Sequence, residues 1–312
     1  MKNLRVIFMG TPLFAVEVLD GLIKNYEVVL VVSQPDKEVG RKKILTETPV
    51  KQKALENNIE VFQPDKIKFD YQKIVNLKPD LIVTCAYGQI IPKEILDCPK
   101  YGCINVHASL LPKLRGGAPI HHAIMDGYLK TGITIMYMEE KMDAGDILTQ
   151  KETIISNSDD LQTLHDRLSL MGKELLLETI PKLVEGKITP IKQDENEVTY
   201  AWNIKREEEK IDFSKRTLEV FNHIRALSPS PAAYCYLDNK VLKIYKAYIS
   251  DRFYNTKKIG EISRIEKDAF GIVTSDGEIM VTEIQLEGKK KMLVKDFFNG
   301  TDPLDLLGKV LE

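Results

Sequence analysis

Apolar residues in the first part of the chain come in short runs separated by stretches with helical spacing. LRVIFMG and YEVVLVV read as strands, and PLFAVEVLDGLIKN between them repeats apolar residues three and four apart, as one face of a helix does. PVKQKALENN follows as a helix, DLIVTCA as a strand, PKEIL as a short helix, GCINVHA as a strand, and APIHHAIMDG as a helix closed by glycine. Strands that are apolar almost throughout, alternating with helices, predict an α/β fold with a mostly parallel sheet covered on both faces. Ligands of such sheets bind beyond the carboxyl ends of the strands. GCINVHA opens at that end into a loop rich in proline and glycine.

From Thr131 the pattern changes. TGITIMYM and GDILTQKETI read as two strands around the turn EEKMDAGD, followed by a long amphipathic helix from Ser158 to about Glu185. Residues 190–206 have little apolar periodicity and read as a linker. TLEVFNHIRAL then reads as a helix stopped by SPSP. The short strands AAYCYL, KVLKIYKAYI, GEISRI, GIVTS and EIMVTEIQL follow, a spacing that suggests a small barrel or sandwich. A chain of 312 residues exceeds what one core usually supports, so two domains are expected: 1–189, the linker 190–206, and 207–312.

Charge narrows the partners. Forty-four Lys and Arg against 46 Asp and Glu leave a net charge of −2, which argues against indiscriminate nucleic-acid binding and leaves local basic patches as the only route to it. The 18 basic and 18 acidic residues between Arg206 and Glu312 cancel in the same way, so Lys240, Lys243, Lys246 and Lys289–Lys291 could contact phosphate only by placement. Cys85, Cys98, Cys103 and Cys235 form no CxxC pair and read mostly as small core residues. The short apolar start has no signal-peptide pattern and no run is long enough to span a membrane, so a reduced, cytoplasmic protein is expected.

The candidate chemistry is concentrated in the middle of the first domain. GTPLFA after the first strand lacks the second and third glycines of a dinucleotide fingerprint, which speaks against a nicotinamide enzyme. Asn105 and His107 share one face of their strand because side chains alternate with period two. An amide donor beside an imidazole can stabilise an oxyanion and handle a proton, although spacing alone names no reaction. KMDAGDIL adds Asp143 and Asp146 in a turn, where aspartate also serves simply to cap backbone. There is no GxSxG elbow, no HExxH and no Cys–His cluster, so hydrolase and zinc readings lack their parts. Gly40, Arg41, Lys42 and Lys43 form a positive cluster in a long loop, either a solvated face or a phosphate contact.

GTPLFA, QPDKEVGRKK, AYGQIIP, GCINVHASLLPKLRGGAPI, TGITIM and DAGDIL together resemble the methionyl-tRNA formyltransferase family, and VTYA, KIDF and GKKKM extend the likeness over nearly the whole chain. The segment NVHxSLLPxxRG is specific to enzymes that use 10-formyltetrahydrofolate. The resemblance implies a Rossmann-like formyltransferase domain followed by an OB-like β-barrel that binds tRNA. It implies Asn105, His107 and Asp143 as the catalytic residues. Folate would be held by Ser109, Leu110, Leu111 and Pro112 and by Gly88, Gln89, Ile90 and Ile91. It places Arg41, Lys42 and Lys43 of the loop Gln34–Val50 on the acceptor stem of the initiator methionyl-tRNA. No metal is implied, and a monomer is the default. Trp202 departs from the smaller or charged residues usual in relatives. The rival within the resemblance is a formyltransferase acting on an amino sugar nucleotide. A rival outside it is a non-catalytic RNA-binding module.

Overall fold

The structure, a computed structural model, describes residues 3–40, 42–300 and 302–312. The chain divides into two units. The first is built from the chain up to Pro119 with Lys130–Ile154 and His165–Trp202, and the second from Ile120–Leu129, Ile155–Leu164 and Asn203–Glu312.

The first half of the chain yields β1 (Arg5–Gly10), α1 (Phe14–Asn25), β2 (Glu27–Val32), β3 (Lys37–Val39), β4 (Ile44–Thr46), α2 (Pro49–Glu56) and β5 (Val61–Phe62). Then come α3 (Gln72–Asn76), β6 (Leu81–Cys85), α4 (Lys93–Leu96), β7 (Cys103–His107), α5 (Pro119–Met125), β8 (Lys130–Tyr137), β9 (Ile147–Ile154) and α6 (Leu161–Val184). Seven strands form one sheet in the order β5-β2-β1-β6-β7-β8-β9. It is parallel from β5 to β7 and antiparallel at β8 and β9, which makes it the mostly parallel sheet the pattern predicts.

Burial follows strand parity. Ile7, Met9, Ile82 and Cys103 pack on one face with Ile74 of α3 and Ile95 of α4. On the other face, a Cβ at Gly172 of α6 would touch Val106 of β7, with Ile133 of β8 and Val18 of α1 nearby. Fully burying a side chain such as Phe8, Ile7 or Ile82 contributes about 2 kcal/mol. Within β7, Cys103, Asn105 and His107 therefore lie on the α3/α4 face, with the polar pair further along towards the carboxyl end. The loops after β1, β2, β6 and β7 leave the sheet at that same edge.

Several features escape the periodicity, the five-residue helix α3 among them. The long loop Gln34–Val50 contains the antiparallel hairpin β3–β4, and β5 is an edge strand of two residues. The hairpin strands are exposed on both faces, so they carry no alternation to read.

The second unit contains α7 (Thr217–Ala226), β10 (Ala233–Leu237), β11 (Lys240–Ile249), β12 (Ile262–Ile265), β13 (Phe270–Val273), β14 (Glu278–Leu286), β15 (Met292–Leu293) and α8 (Val294–Phe297). Its strands form an antiparallel sheet in the order β10-β11-β14-β13-β12, with β15 added to β14. Val220 and Ile224 of α7 share the core with Leu242, Ile244, Phe270, Ile279 and Val281. Glu278 is fully buried and accepts hydrogen bonds from Ser263, from the Tyr254 hydroxyl and from the Arg264 guanidinium, so its charge is paired. Among the described residues no helix is long and apolar enough to cross a membrane.

Candidate active site

Asn105 and His107 are buried at the end of β7, with relative exposures of 9% and 6%. Thr84, opposite Asn105 on β6, donates its hydroxyl to Asn105 Oδ1 at 2.8 Å. The same hydroxyl lies 3.2 Å from the Ile104 carbonyl, and with Oδ1 turned to Thr84 the Asn105 NH₂ group is the end able to donate to a ligand. His107 Nε2 lies 3.0 Å from the Leu114 carbonyl. A carbonyl only accepts, so Nε2 carries the proton and Nδ1 is the nitrogen left for chemistry. Nδ1 lies 3.8 Å from Asp143 Oδ1. The structure thus brings Asp143 to His107, whereas Asp146 is exposed and its carbonyl accepts from the Tyr137 amide.

The loop after β7 is shaped by the two neighbouring strands. Thr134 of β8 donates to the Ser109 carbonyl and accepts from the Leu111 amide, and Gln150 of β9 donates to both Thr134 Oγ1 and the Leu111 carbonyl. The Ser109 hydroxyl is spent on the Lys113 carbonyl at 2.6 Å, and the Leu111 side chain packs with Met136 and Ile147. Leu110 and Pro112 remain partly exposed.

The second predicted folate segment is divided in role. Gln89 donates towards the Pro64 and Asp65 carbonyls and Gln34 Oε1, and accepts from the Ile67 amide, so its side chain is engaged with protein. Ile91 belongs to the core with Tyr87 and Ile95, whereas Ile90 is 84% exposed. Gly88 sits at φ +90, beside Gln34.

Lys42 and Lys43 are exposed at the tip of the β3–β4 hairpin, and Arg41 lies outside the described residues. The base of the hairpin is pinned: Ser33 Oγ meets Thr48 Oγ1 at 2.6 Å, and Lys51 pairs with Asp36 at 2.5 Å. Lys51 and Gln63 bonded to its oxygens hold the Asp36 carboxyl below the usual carboxylate range.

Arg115 belongs to the NVHxSLLPxxRG motif, but sequence reading missed the residues that join it in holding these groups in place. Arg115 is fully buried, and its Nε and Nη2 both donate to Gln193 Oε1, at 3.1 and 2.8 Å. Nη2 also meets Glu195 at 2.9 Å, and Glu195 in turn meets Lys141 at 2.7 Å. Lys141 and Arg115 push the Glu195 carboxyl down to about 2. The Leu114 amide donates to Thr199 Oγ1, and Arg115 exchanges backbone bonds with Thr199 and Ala201. Residues 190–206 carry no periodicity because, apart from a 3-10 turn at Glu195–Glu197, they run as single-residue bridges, Ile191 to Ile147 and Tyr200 to Arg115. Tyr200 and Trp202 stack on their exposed surface with ring centroids 5.1 Å apart. The one available signal was composition, a polar QDENE segment containing a glutamine that proves buried.

Among the described residues no cluster of three or more His, Cys, Asp and Glu is arranged to hold a metal ion. Burial pushes the thiols of Cys85, Cys103 and Cys235 up, the last to about 12, so they are poor nucleophiles.

Residues 2–180 match the formyl transferase family and residues 203–302 the formyl transferase C-terminal domain. The chain is 55% identical over 307 residues to the methionyl-tRNA formyltransferase of Bacillus cereus (strain B4264), with 96% of each chain covered. Among solved structures it resembles an N-formyltransferase from Helicobacter canadensis, solved with folinic acid and dTDP-3-aminofucose. That likeness has a TM-score of 0.67 at 19% identity and covers 93% of this chain and 100% of that one. It also resembles HypX from Aquifex aeolicus, solved with tetrahydrofolic acid, with a TM-score of 0.63 at 19% identity over 94% of this chain and 46% of that one. At such identities the two structures establish the fold alone. The two domain matches and the close relative over nearly its whole length place the chain in the formyl transferase family, as a member of the methionyl-tRNA formyltransferases.

Proposed function

We propose that the chain transfers the formyl group of 10-formyltetrahydrofolate to the α-amino group of methionyl initiator tRNA, with Asn105, His107 and Asp143 as its catalytic residues. The observation that carries the residue assignment is the 3.8 Å approach of Asp143 to His107 Nδ1, with the Asn105 amide on the same strand face.

The neutral amine attacks the formyl carbon, the new C–N bond forms, and the carbonyl π electrons move onto oxygen. The Asn105 NH₂ donates to this oxyanion, and His107 donates through Nδ1–H once that nitrogen is protonated. Nε2–H stays on the Leu114 carbonyl and keeps the ring oriented. Losing one such donor costs about 3 kcal/mol, on the order of a hundredfold in rate. The ammonium proton passes by way of His107 and Asp143 to N10, the C–N10 bond breaks with its electrons going to N10, and the carbonyl re-forms. Products are the N-formylated methionyl-tRNA and tetrahydrofolate.

The donor would bind along Ser109–Pro112 and Gly88–Ile91. The bonded backbone of the first segment and the exposed Ile90 of the second support this. Arg41, Lys42 and Lys43 would contact acceptor-stem phosphates. Within 207–312 the exposed Lys240, Lys246, Lys289 and Lys290 are the better tRNA candidates, because Lys243 is bonded to the Pro231 carbonyl and Lys291 to Glu283. We further propose 1–189 and 207–312 as the functional domains, a monomer as the working unit, and the cytoplasm, where initiator tRNA is charged, as the site of action.

The test is a formylation assay with 10-formyltetrahydrofolate and either methionyl-tRNA or a dTDP-amino sugar. Turnover on the tRNA alone is expected. Turnover on the sugar alone overturns the acceptor assignment, and no turnover on either overturns the enzyme.

A further inference from the structure

We propose that Gln193 is a positioning residue for formyl transfer, its carboxamide locking the Asp143 turn to the buried Arg115 so that the Asp143 carboxylate stays aimed at His107. This rests on the assignment of Asp143 to the chemistry.

A glutamine side chain has two acceptor positions and two donor hydrogens, and Gln193 uses all four. Its Oε1 accepts from Arg115 Nε at 3.1 Å and Nη2 at 2.8 Å, and its Nε2 donates to the carbonyls of Asp143 at 2.9 Å and Gly145 at 2.8 Å. The side chain is 5% exposed, so water cannot substitute for these bonds.

Asp143 needs such a hold. Its backbone sits at φ +49, in the left-handed region. Aspartate enters that region more readily than most residues, but it still costs more than an ordinary helical or extended backbone, and the bond to the Asp143 carbonyl helps to hold it there. A Cβ at Gly145 would fall 2.0 Å from the Tyr137 carbonyl, so the turn is pressed against β8 and has little room to re-form elsewhere.

The other end of the lock is the loop that orients His107. The Leu114 carbonyl holds His107 Nε2, the Gly116 amide donates to Asp143 Oδ2 at 2.9 Å, and Arg115 lies between them. Gly116 therefore fixes one carboxylate oxygen, Gln193 fixes the backbone that carries it, and Oδ1 is left facing the imidazole. A carboxylate at 193 would serve Arg115 equally well. Only an amide can also donate to the two carbonyls, which is the chemical reason for glutamine here.

That asymmetry supplies the experiment. Gln193→Glu keeps the bonds to Arg115, now charge-assisted, but presents an oxygen to the Asp143 and Gly145 carbonyls. A kcat lower by between about tenfold and a hundredfold is expected, because loss of alignment costs rate rather than binding. KM for methionyl-tRNA and for 10-formyltetrahydrofolate should stay within about twofold of wild type. Tm falls because two buried carbonyls lose their donor, so kcat is read at a temperature where the variant is folded. Gln193→Met, similar in size and unable to donate, is the second variant should the first fail to fold, and the same fall in kcat is expected of it. Combined with Asp143→Asn, either substitution should cost no further rate, because Gln193 acts through Asp143. Unchanged kcat in a folded Gln193 variant overturns the proposal, as does a loss confined to Tm or KM, or losses that multiply in the double variant. If instead Asp143→Asn alone retains wild-type kcat, it is the assignment of Asp143 that falls.

Discussion

His107 takes its chemistry from what its two nitrogens meet. The Leu114 carbonyl claims Nε2, and Nδ1 faces a carboxylate. His107→Ala is therefore expected to lower kcat by at least about a hundredfold, while the affinity for tRNA, read by filter binding, changes little. Asp143→Asn is the sharper test, because asparagine tolerates the left-handed backbone as well as aspartate does and can still accept from the Gly116 amide. Its expected outcome is an unchanged melting temperature with single-turnover formylation slowed about a hundredfold or more, a loss assignable to the charge. At this scale the sequence was informative about side chains two apart on one strand and uninformative about their partners. Arg115 and Gln193 are 78 positions apart, and nothing in local spacing links them.

Among the elements, the β3–β4 hairpin and the loop after β7 behave differently under substitution. The hairpin tip is solvated, so Lys42→Ala with Lys43→Ala should leave stability unchanged. Lower kcat/KM for methionyl-tRNA, with a shallower salt dependence, is expected from the loss of phosphate contacts. Equal kcat/KM in steady-state assays across salt concentrations would remove the hairpin from tRNA contact. The β7 loop is packed. Gly116 sits at φ +120, and a Cβ there would lie 2.6 Å from the Ala201 carbonyl, so Gly116→Ala must displace the strand-like bridge to residues 199–201. A destabilisation of about 2–3 kcal/mol by denaturant unfolding, together with lost activity, is expected. The longer helices and main strands were legible because each has a buried face, whereas α3 and α8, of five and four residues, are too short to show a period. The hairpin was not, since its residues are exposed on both sides and hold their shape through bonds at its base.

For the molecule as a whole, charge balance and burial set the response to pH. His223 on α7 is largely buried, and its Nε2 has no partner among the described residues. Burial first, and then Lys215, push its imidazole below the ordinary 6.5. Between the folded and unfolded values the unfolded chain binds more protons, so stability is full above about 6.5 and falls as pH drops through that window. Calorimetry from about pH 7.5 to 5.5 should show Tm falling more steeply in wild type than in His223→Gln. Parallel slopes would place the titration elsewhere.

The sequence by itself determined the class of fold, the order of its main elements and the strand that carries Asn105 and His107, because the spacing of apolar side chains along a strand or helix is a local property of the chain. It also contained the motifs by which the family can be recognised. Spacing left the two aspartates of the KMDAGD turn undivided, and the resemblance pointed to Asp143. Tertiary structure brings Asp143 to His107 and alone decided which imidazole nitrogen is tied up. It also decided that an aperiodic stretch after the long helix braces the site through Gln193 and Thr199. These are hydrogen bonds between segments remote in sequence, and a hydrogen bond depends on where two groups meet in space.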